Sequence, residues 1–166
     1  MPVKKLTTLA LFTTLALGIY AVEAALPTLI PIPGIKPGLS NIITLVVLHR
    51  YGIKETLAVL LARIFLSTLL FGQALSLLYS LTGGICCLLV MYLVSRLLRR
   101  RMLFITGIMG ALSHNAGQFL VALLVTQVAG VLSYLPFLII SGIITGCFTG
   151  LCSGFLLKYL SGKEAL

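Results

Sequence analysis

The stretch LSLLYSLTGGICCLLVMYLVSRLLRRR (Leu75–Arg101) decides the class of this chain. Between Leu75 and Leu98 the only charged residue is Arg96. As a helix this segment is about 36 Å long at ~1.5 Å per residue, enough for a hydrocarbon core of about 30 Å. The arginines Arg99, Arg100 and Arg101 follow at once. A basic cluster directly after an apolar run is the mark of a cytoplasmic membrane edge.

Outward from this segment the same pattern recurs. Apolar stretches occupy roughly 6–26, 38–50, 55–72, 75–98, 103–127 and 134–157. Five reach the roughly 17–25 residues of a spanning helix; the second is short. The whole chain of 166 residues is 60% hydrophobic and 9% charged. A soluble domain carries about 25% charged residues, so this one lacks the charge to cover a water-facing surface. The expectation is an all-α, polytopic membrane bundle of about six transmembrane helices, forming one integral membrane domain over 1–166.

The basic residues set the orientation. Lys4, Lys5, Arg50, Lys54, Arg96, Arg99, Arg100, Arg101, Lys158 and Lys163 all fall on one side if the six stretches alternate, ten of the 12 basic residues. Lys36 lies toward the other side and Arg63 inside the third stretch. The positive-inside rule then puts both termini in the cytoplasm. Lys4 and Lys5 with the small residues around Ala21–Ala25 also fit a secretory signal. The apolar run is long for a signal core, and cleavage would break the charge alternation, so the first span is read as retained. The net charge of +9 is an orienting device on this reading, and no nucleic-acid partner is expected.

Composition excludes some chemistry. There are three acidic residues, Glu23, Glu55 and Glu164, and no Asp. Carboxylate-rich Mg²⁺ sites and paired-carboxylate hydrolysis need acids that are missing. Cys86, Cys87, Cys147 and Cys152 sit in apolar spans without a CxxC zinc spacing, so no metal, cofactor or disulfide is expected. Ser113 beside His114 forms no catalytic pair, because adjacent helical positions do not face each other. No enzyme activity is expected.

The segment PTLIPIPGIKPG (Pro27–Gly38) is too rich in proline and glycine for a helix, yet mostly apolar. Such backbone is tolerated at membrane depth where it is buried or lines a cavity. The reading is a lid-like loop over 27–37, dipping in from the outer side toward a short second helix.

Arg63 stands near the middle of its span. A central arginine costs at least about 2.5–3.5 kcal/mol to insert, so it must face the interior or a wet cavity. Counted from the cytoplasmic ends at ~1.5 Å per residue, Arg63 and Asn41 lie about 14 Å up and His114 about 16 Å up. His114 and Gln118 are four apart, and Asn115 and Gln118 three apart, which puts them on one side of a helix. A cavity lined by Lys36, Asn41, Arg63, His114, Asn115 and Gln118 would be basic and rich in donors. It would suit a small anionic or amphipathic solute. Gly142, Gly146, Gly150 and Gly154 form a small-residue stripe for close helix contact, and Ala10, Thr14 and Gly18 a weaker one. Internal packing is the default for both.

PIPGIKPGLSN (Pro31–Asn41), the RxxxxxLxxG pattern at Arg63–Gly72, GALSHNAGQ (Gly110–Gln118), YLP (Tyr134–Pro136) and GIITG (Gly142–Gly146) together resemble the bacterial membrane family called heptaprenyl diphosphate synthase component I, or Gx transporter family. Such proteins look like the S components of energy-coupling factor importers. The resemblance implies a bacterial plasma-membrane protein that captures a solute from outside, with an ATPase and a coupling membrane subunit as partners. The S components' coupling stripe is matched only loosely by Ala10, Thr14 and Gly18. The family's name implies instead a non-catalytic membrane accessory to a prenyl synthase subunit. Synthases of that kind use Asp-rich sites, and this chain has none.

Overall fold

The computed structural model describes residues 3–25, 36–71, 74–98 and 102–162. Among them are six α-helices and no strand: α1 Val3–Ala25, α2 Asn41–Arg50, α3 Ile53–Phe71, α4 Ala74–Leu97, α5 Leu103–Thr126 and α6 Leu135–Gly162. A 3₁₀ segment, Ala129–Tyr134, leads into α6. The chain is therefore an all-α bundle, and four stretches are long and apolar enough to cross a membrane: α1, α4, α5 and Gly130–Gly162. They make it a membrane protein. The third helix is 19 residues long but carries Lys54, Glu55 and Arg63.

Helices form here because each apolar segment must satisfy its own backbone out of water. Side-chain hydroxyls follow the same rule: Thr13, Thr68 and Thr145 each donate to the carbonyl four residues back. Boundaries follow local chemistry. The fifth helix ends where Gln127 takes a left-handed backbone (φ 53°) and its N–H closes on the Leu123 carbonyl. The sixth starts with Pro136 in its first turn, where the missing N–H costs nothing. It runs to Gly162, beyond the boundary expected near 157, and residues 129–134 are helical where the sequence shows no signal.

The short second helix is the hub. Asn41 to Leu48 are all buried, and α2 packs against α1, α3, α4, α5 and α6. At ten residues it is about 15 Å long, a length that fits a buried core helix better than a span. It begins three residues later than the sequence reading placed it. Gly38 has φ 79° and residues 39–40 form a turn, so no helix can start before Asn41. The lid-like loop assigned to 27–37 lies outside the described residues except for Lys36 and Pro37.

Glycine brings α4, α5 and α6 close together. A Cβ at Gly146 would lie 2.5 Å from the Ile108 Cα, and one at Gly107 the same distance from the Gly146 carbonyl. A Cβ at Gly117 would lie 3.0 Å from the Gly83 Cα. Backbone contact of this kind replaces the hydrophobic drive that lipid does not supply. Gly142, Gly146 and Gly150 of the α6 stripe are thus internal packing, as expected, while Gly154 meets only Leu103 Cδ1 at 3.7 Å. The α1 stripe is not: Ala10, Thr14 and Gly18 are exposed, and nothing lies within 4 Å of a Cβ at Gly18. That helix turns Leu9, Phe12, Ala16, Tyr20 and Glu23 inward and leaves its small residues outside.

Candidate functional site

The segment 36–40 meets side chains from three helices, α1, α3 and α5, just before the N-terminus of α2. The Lys36 backbone N–H donates to Gln118 Oε1 of α5 at 3.3 Å. Its Nζ donates to the Tyr20 hydroxyl of α1 at 2.8 Å. The Gly38 N–H donates to the Glu23 carboxylate of α1. Arg63 of α3 donates from one guanidinium nitrogen to Ser40 Oγ at 2.7 Å. Tyr20 Oη is also 2.8 Å from Ser76 Oγ of α4.

Gly38 is the pivot. Its backbone is left-handed, and the place of a Cβ would be 2.8 Å from both Asn41 Nδ2 and His114 Cδ2. The other edge of the imidazole lies against Gly83 of α4, where a Cβ would be 2.9 Å from Nδ1 and Cε1. The His114 ring is thus held between two glycines, from the loop and from α4. Only glycine leaves room for it on both sides, and only glycine takes the loop's positive φ without strain.

Five of the six expected pocket residues come together here: Lys36, Asn41, Arg63, His114 and Gln118. Asn115 does not. Its Nδ2 donates to the Leu138 carbonyl of α6 at 2.8 Å, on another face of α5. One residue along a helix turns a side chain by about 100°, so neighbours in sequence address different partners. Tyr20, Glu23, Ser40 and Ser76 belong to the cluster without having been expected there. The Glu23 carboxylate accepts from the loop backbone, while Arg63 donates to Ser40.

The cluster is electropositive and under-satisfied. Lys36 Nζ lies 4.0 Å and Arg63 Cζ 5.8 Å from the centre of the Tyr20 ring, so one aromatic ring serves two cations. The sole ion pair among the described residues is elsewhere, between Lys5 and Glu55. Both side-chain amide atoms of Asn41 and the second terminal nitrogen of Arg63 are buried without a hydrogen-bond partner among the described residues. His114 Nδ1 faces the Gly83 backbone but closes no hydrogen bond of ordinary geometry. Asn41 is 1% exposed, Arg63 3% and His114 4%. An unpartnered buried polar group costs about 1–3 kcal/mol, more if charged, so four such atoms in one place ask for a reason. The positive end of the α2 dipole points into the same space. The arrangement suits an acceptor-rich, anionic group. Among the described residues no three His, Cys, Asp or Glu side chains gather as metal ligands. Arg99, Arg100 and Arg101 lie outside the described residues.

The sequence model of one family, heptaprenyl diphosphate synthase component I, matches residues 12–156. That span holds every residue of the cluster. Comparison with curated proteins and with solved structures returned no match.

Proposed function

The chain belongs to the heptaprenyl diphosphate synthase component I family, and from that premise we propose that it is a non-catalytic membrane subunit of polyprenyl diphosphate synthesis. It holds an anionic, amphipathic ligand of the prenyl diphosphate class at the Arg63 cluster and works beside a separate catalytic synthase. The observation that carries this reading is the buried, unpartnered donor set of Arg63 and Asn41, next to a second cation, Lys36. A diphosphate offers several acceptor oxygens and two or more negative charges to such a set. The lack of any Asp supports a holding role over an elongating one. In this reading all six helices lie in the bacterial plasma membrane and the termini are cytoplasmic.

A second reading, a substrate-capturing subunit of an energy-coupling factor type importer, is favoured by one feature. Ala10, Thr14 and Gly18 form an exposed stripe of small residues on α1 that a coupling subunit could cover. The solute would bind to the same cluster from outside.

One experiment separates the two. The chain is purified from its native membrane in mild detergent, and its protein and small-molecule companions are identified by mass spectrometry. A co-purifying prenyl synthase, with binding of farnesyl diphosphate that Arg63→Ala abolishes, is the expected result. Recovery of an ATPase and a coupling membrane subunit without a synthase would overturn the accessory reading in favour of the importer.

A further inference from the structure

A separate groove, sharing no residue with the Arg63 cluster, lies between the first turn of α5 and the last turns of α6. It is an open hollow of about 580 Å³ lined by residues that include Leu103, Phe104, Gly150, Gly154, Phe155 and Lys158. The volume falls within the roughly 300–1,000 Å³ of small-molecule sites. Glycine makes the hollow. Gly150 is pressed against the Phe104 backbone, where a Cβ would come within 2.6 Å of the Cα. Gly154, one turn on, faces open space instead, with only Leu103 Cδ1 at 3.7 Å. The two helices touch at the first glycine and part at the second. A second hollow of about 550 Å³ shares Phe155 and Lys158 and continues along Tyr159 to Gly162.

Both hollows are open and mostly apolar, and Lys158 lines both. It has no hydrogen bond or ion pair among the described residues. Among the described residues no carboxylate lines either hollow. The first turn of α5 forms one wall, and its N-terminal residue Met102 makes no side-chain cap, so the positive end of that helix adds to the lysine.

We infer that this groove binds an anionic phospholipid, one acyl chain lying between Phe104 and Phe155 and the phosphate headgroup meeting Lys158. Charge complementarity selects the occupant. A chain carrying +9 with an unneutralised lysine at the mouth of an apolar groove favours a negative headgroup over a zwitterionic one. The site is independent of the Arg63 cluster and stands whichever ligand that cluster takes.

The test titrates the purified full chain in detergent with equal amounts of phosphatidylglycerol and phosphatidylcholine, reading bound lipid by native mass spectrometry. The expected preference for phosphatidylglycerol is about fivefold, the weight of one lysine near an anionic surface. Lys158→Ala should erase the preference and Lys158→Arg keep it. Gly154→Leu fills the hollow without meeting backbone and should remove one bound lipid at an unchanged melting temperature. Should that variant melt early, Gly154→Ala and the lysine pair decide the matter. Equal binding of the two lipids, or a preference that survives Lys158→Ala, would overturn the inference.

Discussion

Replacing Arg63 by Met tests the candidate site most directly. In the structure one terminal guanidinium nitrogen is taken by Ser40 Oγ at 2.7 Å, and the other is buried and has no partner among the described residues. The second nitrogen is therefore the one available to a ligand. A hydrogen bond to a charged group contributes about 1.5–3 kcal/mol. The charge itself adds to this: two unit charges ~4 Å apart interact by about 4 kcal/mol at an effective dielectric constant of 20. The loss on substitution should thus be at least about 3 kcal/mol, or more than ~100-fold in Kd at 1.4 kcal/mol per tenfold. Insertion should not suffer, because a central arginine costs about 2.5–3.5 kcal/mol that methionine avoids. Arg63→Lys keeps a charge but loses the planar fork, and should fall between the two. The assay is equilibrium binding of farnesyl diphosphate to purified protein in nanodiscs, with melting temperature measured on the same samples. A folded Arg63→Met protein that binds within threefold of the original would refute the assignment. A variant that loses binding only because it no longer folds would reduce Arg63 to a structural role, and the Lys variant would show this by melting early as well.

Three other outcomes follow from the packing. Gly38→Ala forces a side chain onto a left-handed backbone at about 1–2 kcal/mol and into Asn41 and His114; ligand binding should drop with stability, whereas a bystander loop would leave binding intact. Gly146→Ala should destabilise the bundle by about 1–3 kcal/mol in denaturant titration, since backbone of α5 stands in the way, while Gly154→Ala should be neutral. Asn115→Ala should cost about 0.6–1.7 kcal/mol by losing its bond to the Leu138 carbonyl and leave ligand affinity unchanged; a loss of affinity equal to that of His114→Ala would return Asn115 to the site.

Much of the site's membership was legible as depth. Arg63, Asn41 and His114 can be levelled by counting residues from the basic edges, and the structure brings them around Gly38. Rotation was not legible. In a soluble helix the polar face declares itself, but here α4 and α6 are apolar all round and lipid is as apolar as the interior. Tyr20 and Ser76 read as ordinary span residues until their side chains meet beside the loop. Asn115 and His114 share a depth and part by about 100° of turn. Ser40 has no signature beyond its place in a turn.

The amino-acid sequence by itself determined that this chain is helical and belongs in a membrane. Sixty per cent apolar residues and so few charges permit no other solvent, and in that solvent only helices or closed barrels satisfy the backbone. It also determined the family, through motifs that run from the loop to α6. Only the tertiary structure decided that the shortest helix is the buried centre, because its ten residues are surrounded by five longer neighbours. Only the tertiary structure decided that Gly142, Gly146 and Gly150 of α6 face inward and the α1 small residues outward, since both stripes look alike until a partner helix fills one of them. And only the tertiary structure left Arg63 and Asn41 buried with unpartnered atoms, because satisfaction of a polar group depends on what packs against it from other parts of the chain.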